Sequence, residues 1–96
     1  MLSELAATDD CQALRLKWED GQENMLSAKD LRRSAMDAWS RREVIDHGEI
    51  RVDDGLTITT LAEIGGYGVN VHFSDGHERA IYPFSYLREL AAQFDK

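Results

Sequence analysis

The decapeptide Leu14-Arg-Leu-Lys-Trp-Glu-Asp-Gly-Gln-Glu23 is echoed by Val69-Asn-Val-His-Phe-Ser-Asp-Gly-His-Glu78. Each copy alternates apolar and polar residues up to an aromatic, Trp18 or Phe73, and then turns at Asp-Gly. Each continues through an apolar residue, Leu26 or Ile81, towards a Leu-Arg pair, Leu31-Arg32 or Leu87-Arg88. The copies hold one register from Leu14 to Leu26 and slip by one residue before the Leu-Arg. Repeated strand, tight turn, strand and helix start restrict the chain to antiparallel hairpins, each followed by a helix. The repeat describes a scaffold and carries no chemistry of its own.

Within the first copy, Leu14, Leu16 and Trp18 mark the buried face of a strand whose wet side carries Arg15, Lys17 and Glu19. Asp20-Gly21 supplies the positive φ a tight hairpin needs, so Glu23 to Leu26 return antiparallel. Ser27, with Asp30 three residues on, predicts a capped helix. Leu31, Ala35, Ala38 and Trp39 fall on one face of it. Arg41 to Gly48 reads as an irregular connection ending in breaker residues. Ile50 and Val52 predict a short strand and Asp54-Gly55 a turn. Leu56, Ile58, Thr60, Ala62 and Ile64 then alternate against Thr57, Thr59, Leu61 and Glu63, as in a long strand rich in β-branched residues. Gly65-Gly66-x-Gly68 is a turn or bulge and not a phosphate loop, because a strand follows it where a helix would be needed. Tyr67, Val69, Val71 and Phe73 face inward on the next strand, which returns after Asp75-Gly76 as Glu78 to Tyr82. Pro83 ends the sheet, and Ser85 caps a closing helix through Phe94. Residues 1–11 read as a flexible polar arm and 12–96 as a single domain. The fold class is α+β: antiparallel β-hairpins with two short helices packed on the sheet.

Eighteen acidic against eleven basic residues give a net charge of −7, which disfavours nucleic acid as a partner. The single cysteine, Cys11, excludes a disulfide within the chain and any zinc site built from several thiols. Acidic residues occupy Met1 to Asp10 where a signal peptide needs basic ones, and no long apolar run follows. A cytoplasmic chain without membrane contact is expected.

The run from Gly65 to Leu90, and above all Phe73-Ser-Asp-Gly-His77 and Ile81-Tyr-Pro-Phe-Ser-Tyr-Leu-Arg-Glu-Leu90, resembles the domain of unknown function DUF971. This is also called the γ-butyrobetaine-hydroxylase-like N-terminal domain. The resemblance spans roughly Leu14 to Ala92. It implies a domain that precedes the catalytic part of hydroxylases, stands alone in bacteria, or is fused to P-loop iron–sulfur carriers in plants. Hydroxylase-type members hold a structural zinc through three cysteines after the first Leu-Arg and the histidine of the second turn. Carried onto this chain, that histidine is His77, but the cysteine positions fall at Ala35, Asp37 and Ser40. The iron-binding His-x-Asp…His triad of the oxygenase part has no counterpart here; His72-Phe-Ser-Asp75 has the wrong spacing. The resemblance therefore implies no catalytic activity. It points to a non-catalytic interaction module, an accessory to iron–sulfur cluster or metalloenzyme assembly, with a protein as partner.

Two sets of residues carry the competing readings. His77, helped by His72, Asp75 and Asp37, is the candidate metal site, with zinc or iron as the ion. Against it stands a purely structural reading: His72 is an exposed strand residue, Asp75 belongs to the preferred Asp-Gly turn, and His77 bonds nearby backbone or side chains. In that reading His77 lies beside the first helix and touches Asp37, Ser40 or a carbonyl. Arg32, Arg33, Tyr82 and Tyr86 are the candidate interaction residues, set against solvated arginines and core aromatics.

Overall fold

The computed structural model describes residues 2–36, 38–48, 50 and 52–94, with the side chains at 38, 39, 43 and 47 excepted. Expectations for Asp37 and for the Trp39 side chain lie outside the described residues. The elements run β1 (Leu2–Ala7), β2 (Ala13–Trp18), β3 (Glu23–Ser27), α1 (Ala28–Arg33), α2 (Ala38–His47), β4 (Ile58–Ile64), β5 (Gly68–Phe73), β6 (Ala80–Pro83) and α3 (Phe84–Phe94).

Both Asp-Gly turns close in the same way. The Gly21 N–H bonds the Trp18 carbonyl at 3.0 Å and the Trp18 N–H bonds the Gln22 carbonyl at 2.9 Å; Phe73, Gly76 and His77 repeat this at 3.1 and 3.0 Å. Only the glycines take positive φ, +89° at Gly21 and +88° at Gly76. Each turn thus carries a bulge at its glycine instead of two consecutive left-handed residues. The preceding aspartate suits the position because its carboxylate accepts the N–H two residues on, Asp20 from Gln22 at 3.0 Å and Asp75 from His77 at 2.9 Å.

The repeat reaches one strand further than the sequence reveals. β1 pairs with β2 as β4 pairs with β5, and both pairings shift register after their first pair, Leu2↔Trp18 and Ile58↔Phe73. Each half is a three-stranded antiparallel sheet, β1-β2-β3 or β4-β5-β6. The expected flexible arm is therefore a paired strand over Leu2–Ala7. Its bulge breaks the alternation that would have marked it. In β4 the equivalent bulge turns the faces over. Leu56 and Ile58 are buried, but beyond the bulge Leu61 packs on the core while Thr60 and Ala62 are exposed.

The first helix divides in two, so three helices stand among the described residues where two were expected. Ser27 caps α1, its hydroxyl accepting the Asp30 N–H at 3.1 Å. After Arg33 the helix stops, and carbonyls at its end take donors from outside the helix. The Tyr82 hydroxyl donates to the Leu31 carbonyl, and the Tyr86 hydroxyl to the Ser34 carbonyl at 2.7 Å. Helix α2 fills most of the expected irregular connection. Gly48, at φ +80°, closes it by donating its N–H to the Val44 carbonyl at 2.8 Å. Ile50 is buried but belongs to no strand.

The two sheets share one core. Leu14, Leu16, Trp18, Leu26 and Leu31 of the first half meet Val69, Val71, Phe73, Tyr82, Leu87 and Leu90 of the second. Cys11, at φ +59°, stands at the joint, where its carbonyl accepts the Ile58 N–H at 2.7 Å. Burial of each large apolar side chain contributes about 1.5–3 kcal/mol, so this cluster is the main support of an α+β fold.

Candidate functional site

The two Leu-Arg pairs explain themselves once the halves are joined. Arg32 follows Leu31 on α1, and its Nε donates to Asp75 Oδ2 in the other half's turn at 3.1 Å. Arg88 follows Leu87 on α3, and its Nη2 donates to Asp20 Oδ2 at 2.9 Å. Each arginine is clasped by the turn of the opposite repeat. The surroundings differ. Arg88 is half-exposed and lies over the Trp18 ring, 4.9 Å from its centroid, while the indole N–H donates to Asn24 Oδ1 at 2.8 Å. The Gln22 N–H and then Arg88 hold the Asp20 carboxyl below the usual carboxylate range. Arg32 is buried, and its Nη1 donates to the fully buried Ser40 Oγ at 2.9 Å.

The half-buried His77 completes the cluster, its Nε2 lying 3.5 Å from Ser40 Oγ. The histidine therefore sits beside the segment containing Ala35 and Ser40. Serine, histidine and aspartate together suggest a nucleophilic triad, but the geometry is not one. The Asp75 carboxylate binds the His77 backbone N–H and the Arg32 guanidinium. Ser40 is closed off from solvent and its oxygen already accepts from Arg32. A relay needs the carboxylate on the imidazole ring and an accessible hydroxyl.

Zinc fits this cluster poorly for reasons of donor chemistry. Ala35 offers a methyl group, and Ser40 a hydroxyl engaged by a guanidinium. The fixed positive charge of Arg32, within hydrogen-bond distance of both Ser40 and Asp75, opposes a dication beside it. Among the described residues no group of three or more His, Cys, Asp or Glu side chains gathers. His72, named as a helper, is instead tied to Asn70 Oδ1 at 2.5 Å, and Asn70 Nδ2 donates to the Glu78 and Ala80 carbonyls at 3.0 and 3.1 Å. Asp37 lies outside the described residues.

Two of the four candidate interaction residues are removed from the surface. Arg32 is committed to Asp75 and Ser40, and Tyr82 is fully buried with its hydroxyl on α1. Arg33 is exposed. Tyr86 is half-buried and stacks on Tyr82 with centroids 6.2 Å apart and planes 6° from parallel. Burial, and next the neighbouring Glu89, push its phenol pKa up, against the hydrogen bond to Ser34.

Another surface was not anticipated. Arg79, just before the last strand, and Ile81 and Pro83 on it alternate and are exposed, while Ala80 and Tyr82 between them are buried. With Met36, Arg41 and Tyr86 they line a groove of about 450 Å³. The signal was present in the alternation of residues 79–83. The contributions of Met36 and Arg41 depended on a helix break that the sequence does not announce. No helix among the described residues is long and apolar enough to cross a membrane.

No curated protein of known role matches the sequence. Solved structures do. A crystal structure of a DUF971-family protein of unknown function from Acidithiobacillus ferrooxidans ATCC 23270 is 25% identical, with a TM-score of 0.75, covering 95% of this chain and 92% of that one. A solution structure at 28% identity has a TM-score of 0.76 and covers 98% of this chain and 71% of the other. A second solution structure, at 26% identity, has a TM-score of 0.71 with coverages of 99% and 75%. The profile of the γ-butyrobetaine hydroxylase-like, N-terminal family matches residues 5–88, and with the repeat, the paired turns and the shared fold this places the chain in that family, DUF971.

Proposed function

We propose that the chain is a non-catalytic protein-interaction module, serving as an accessory to iron–sulfur cluster or metalloenzyme assembly. The observation that carries this reading is the commitment of the cluster most suited to chemistry. Arg32, Ser40, Asp75 and His77 bind one another, which favours a structural role over turnover. What then remains for function is surface. The link to metal assembly rests on the resemblance alone, through the fusions of this domain to iron–sulfur carriers, and is an association between proteins, not a mechanism.

Affinity capture with the intact chain from extracts of its source organism tests the reading. Recovery of a carrier protein or metalloenzyme in near-stoichiometric amount is expected, and recovery of neither would count against it. The competing role, metal binding centred on His77, is tested by elemental analysis of untagged protein after exposure to zinc and iron. About one ion per chain would overturn the present reading, whereas less than about a tenth of an ion is expected.

A further inference from the structure

We propose that the groove along the outer face of β6 binds an acidic, extended protein segment that carries an apolar anchor residue. The proposal rests on the interaction-module reading above and names the chemistry of its partner.

Three observations converge on this face. The groove has an apolar floor in water: Met36 is 52% exposed and Ile81 47%, with Pro83 and the edge of Tyr86 beside them. Such side chains clustered in one depression are a place for a partner's apolar residue. Second, the rim is positive in a chain of net charge −7. Arg41 and Arg79 line the groove, both are exposed, and neither has an ion-pair partner among the described residues. No described carboxylate lines it. Glu78 belongs to the neighbouring cavity of about 450 Å³ formed with Arg32, Asp75 and His77, which meets the groove at Arg79. Of the other arginines, Arg32 pairs with Asp75, Arg42 with Asp46 and Arg88 with Asp20. Two uncommitted cations flanking an apolar floor complement carboxylates flanking an apolar residue.

The third observation concerns the backbone. Among the described residues β6 is an edge strand, paired only with β5. The Phe84 N–H bonds the Tyr67 carbonyl at 2.7 Å, and antiparallel alternation then turns Ala80 and Tyr82 towards β5 and the Ile81 N–H and C=O away from it. These two groups have no partner among the described residues. An extended segment can pair with them while its side chains meet the groove, which favours a strand-like over a helical occupant.

Titration of isotope-labelled protein with a short peptide of alternating Glu and Leu, followed by amide chemical shifts, tests this. Shifts should concentrate at Met36, Arg41, residues 79–83 and Tyr86, and a Lys-Leu peptide should leave them unmoved. The double substitution Arg41→Glu with Arg79→Glu should weaken binding about tenfold or more at low salt, with wild-type affinity falling as salt rises. Both sites are exposed, so an unchanged melting temperature certifies the fold, and Ile81→Glu provides a second, apolar loss. Shifts centred on Trp18, Tyr67 and Arg88, equal affinity for the Lys-Leu peptide, or full affinity in the double variant would overturn the proposal. Binding to anionic vesicles with no peptide response would overturn it too. If affinity capture recovers a partner that the double variant still holds, the groove assignment fails while the module reading stands. If the peptide binds as described but no carrier or metalloenzyme is recovered, the groove stands and the assembly role fails.

Discussion

The two arginine clasps form an internal control for the effect of burial on an ion pair. Arg32–Asp75 and Arg88–Asp20 occupy equivalent places, but the side chains of the first pair are 5% and 30% exposed and those of the second 39% and 54%. Replacement of Arg32 by Met keeps the apolar stem and removes the guanidinium. Asp75 then loses its cation and the buried Ser40 oxygen loses a donor. Removing one member of a buried pair costs about 3–5 kcal/mol; water reaching the Asp75 side reduces this to about 2–3 kcal/mol. Arg88→Met removes a screened surface pair worth up to about 1 kcal/mol and an exposed cation–π contact of about 0.5–1 kcal/mol. Its total should be about 1 kcal/mol, because the two contacts share one side chain. In a domain of this size each kcal/mol moves the melting temperature by about 4–8 °C, so the expected drops are roughly 10–20 °C and 5 °C. Urea unfolding in low and high salt separates them further. Salt should erase much of the Arg88 effect and little of the Arg32 effect. Equal costs, or an Arg32→Met variant as stable as the parent, would refute the reasoning.

Other outcomes follow from single residues. Gly76→Val should destabilise by about 1 kcal/mol or more, since a β-branched residue resists a φ of +88°; an unchanged urea midpoint would argue against the bulged turn. Tyr82→Phe should cost about 1–3 kcal/mol by leaving the buried Leu31 carbonyl without this donor, and a change below about 0.5 kcal/mol would show that another group replaces it. The phenol of Tyr86 is held above its ordinary pKa of 10.0, so the folded state prefers its neutral form. Its contribution is fully present below pH 10 and lost as pH rises through the folded pKa, and Tyr86→Phe should flatten that alkaline loss of stability in urea titrations. A chelator should leave the melting temperature unchanged, because apolar packing supports the fold; unfolding in EDTA would restore a structural metal.

Much of the scaffold was legible because it depends on near neighbours. The hairpins of β2–β3 and β5–β6 follow from two-residue alternation and Asp-Gly, and the start of α1 from Ser27. What escaped depended on partners distant in sequence. Nothing local distinguishes Arg32 from Arg33, yet one meets Asp75 and is buried while the other stays exposed. Tyr82 looks like a surface aromatic until its hydroxyl finds the Leu31 carbonyl, and that same contact helps to end α1. The bulges in β1 and β4 hid a strand and reversed a face, since one extra residue exchanges inside and outside. Of the expected site, the meeting of His77 with Ser40 was inferred from the family resemblance, whereas the guanidinium beside them was not. The groove on β6 went unread because it includes Met36, which lies in an unanticipated helix break, and Arg41 on the helix beyond it.

The crossed clasps make each half a poor protein on its own. A chain ending before β4 would carry Arg32 without Asp75, and one beginning there would carry Arg88 without Asp20 and the indole beneath it. The molecule behaves like a two-subunit assembly written on one string, in which each of the two clasp arginines signs for the other partner. Folding should therefore be a single event, because a state with one half formed exposes that half's share of the core and strands its cation. Separately expressed halves should show the collapsed amide dispersion of unfolded chains, and mixing them should restore the native spectrum at a concentration-dependent rate. Independent folding of either half would show that the clasps decorate the fold and do not join it.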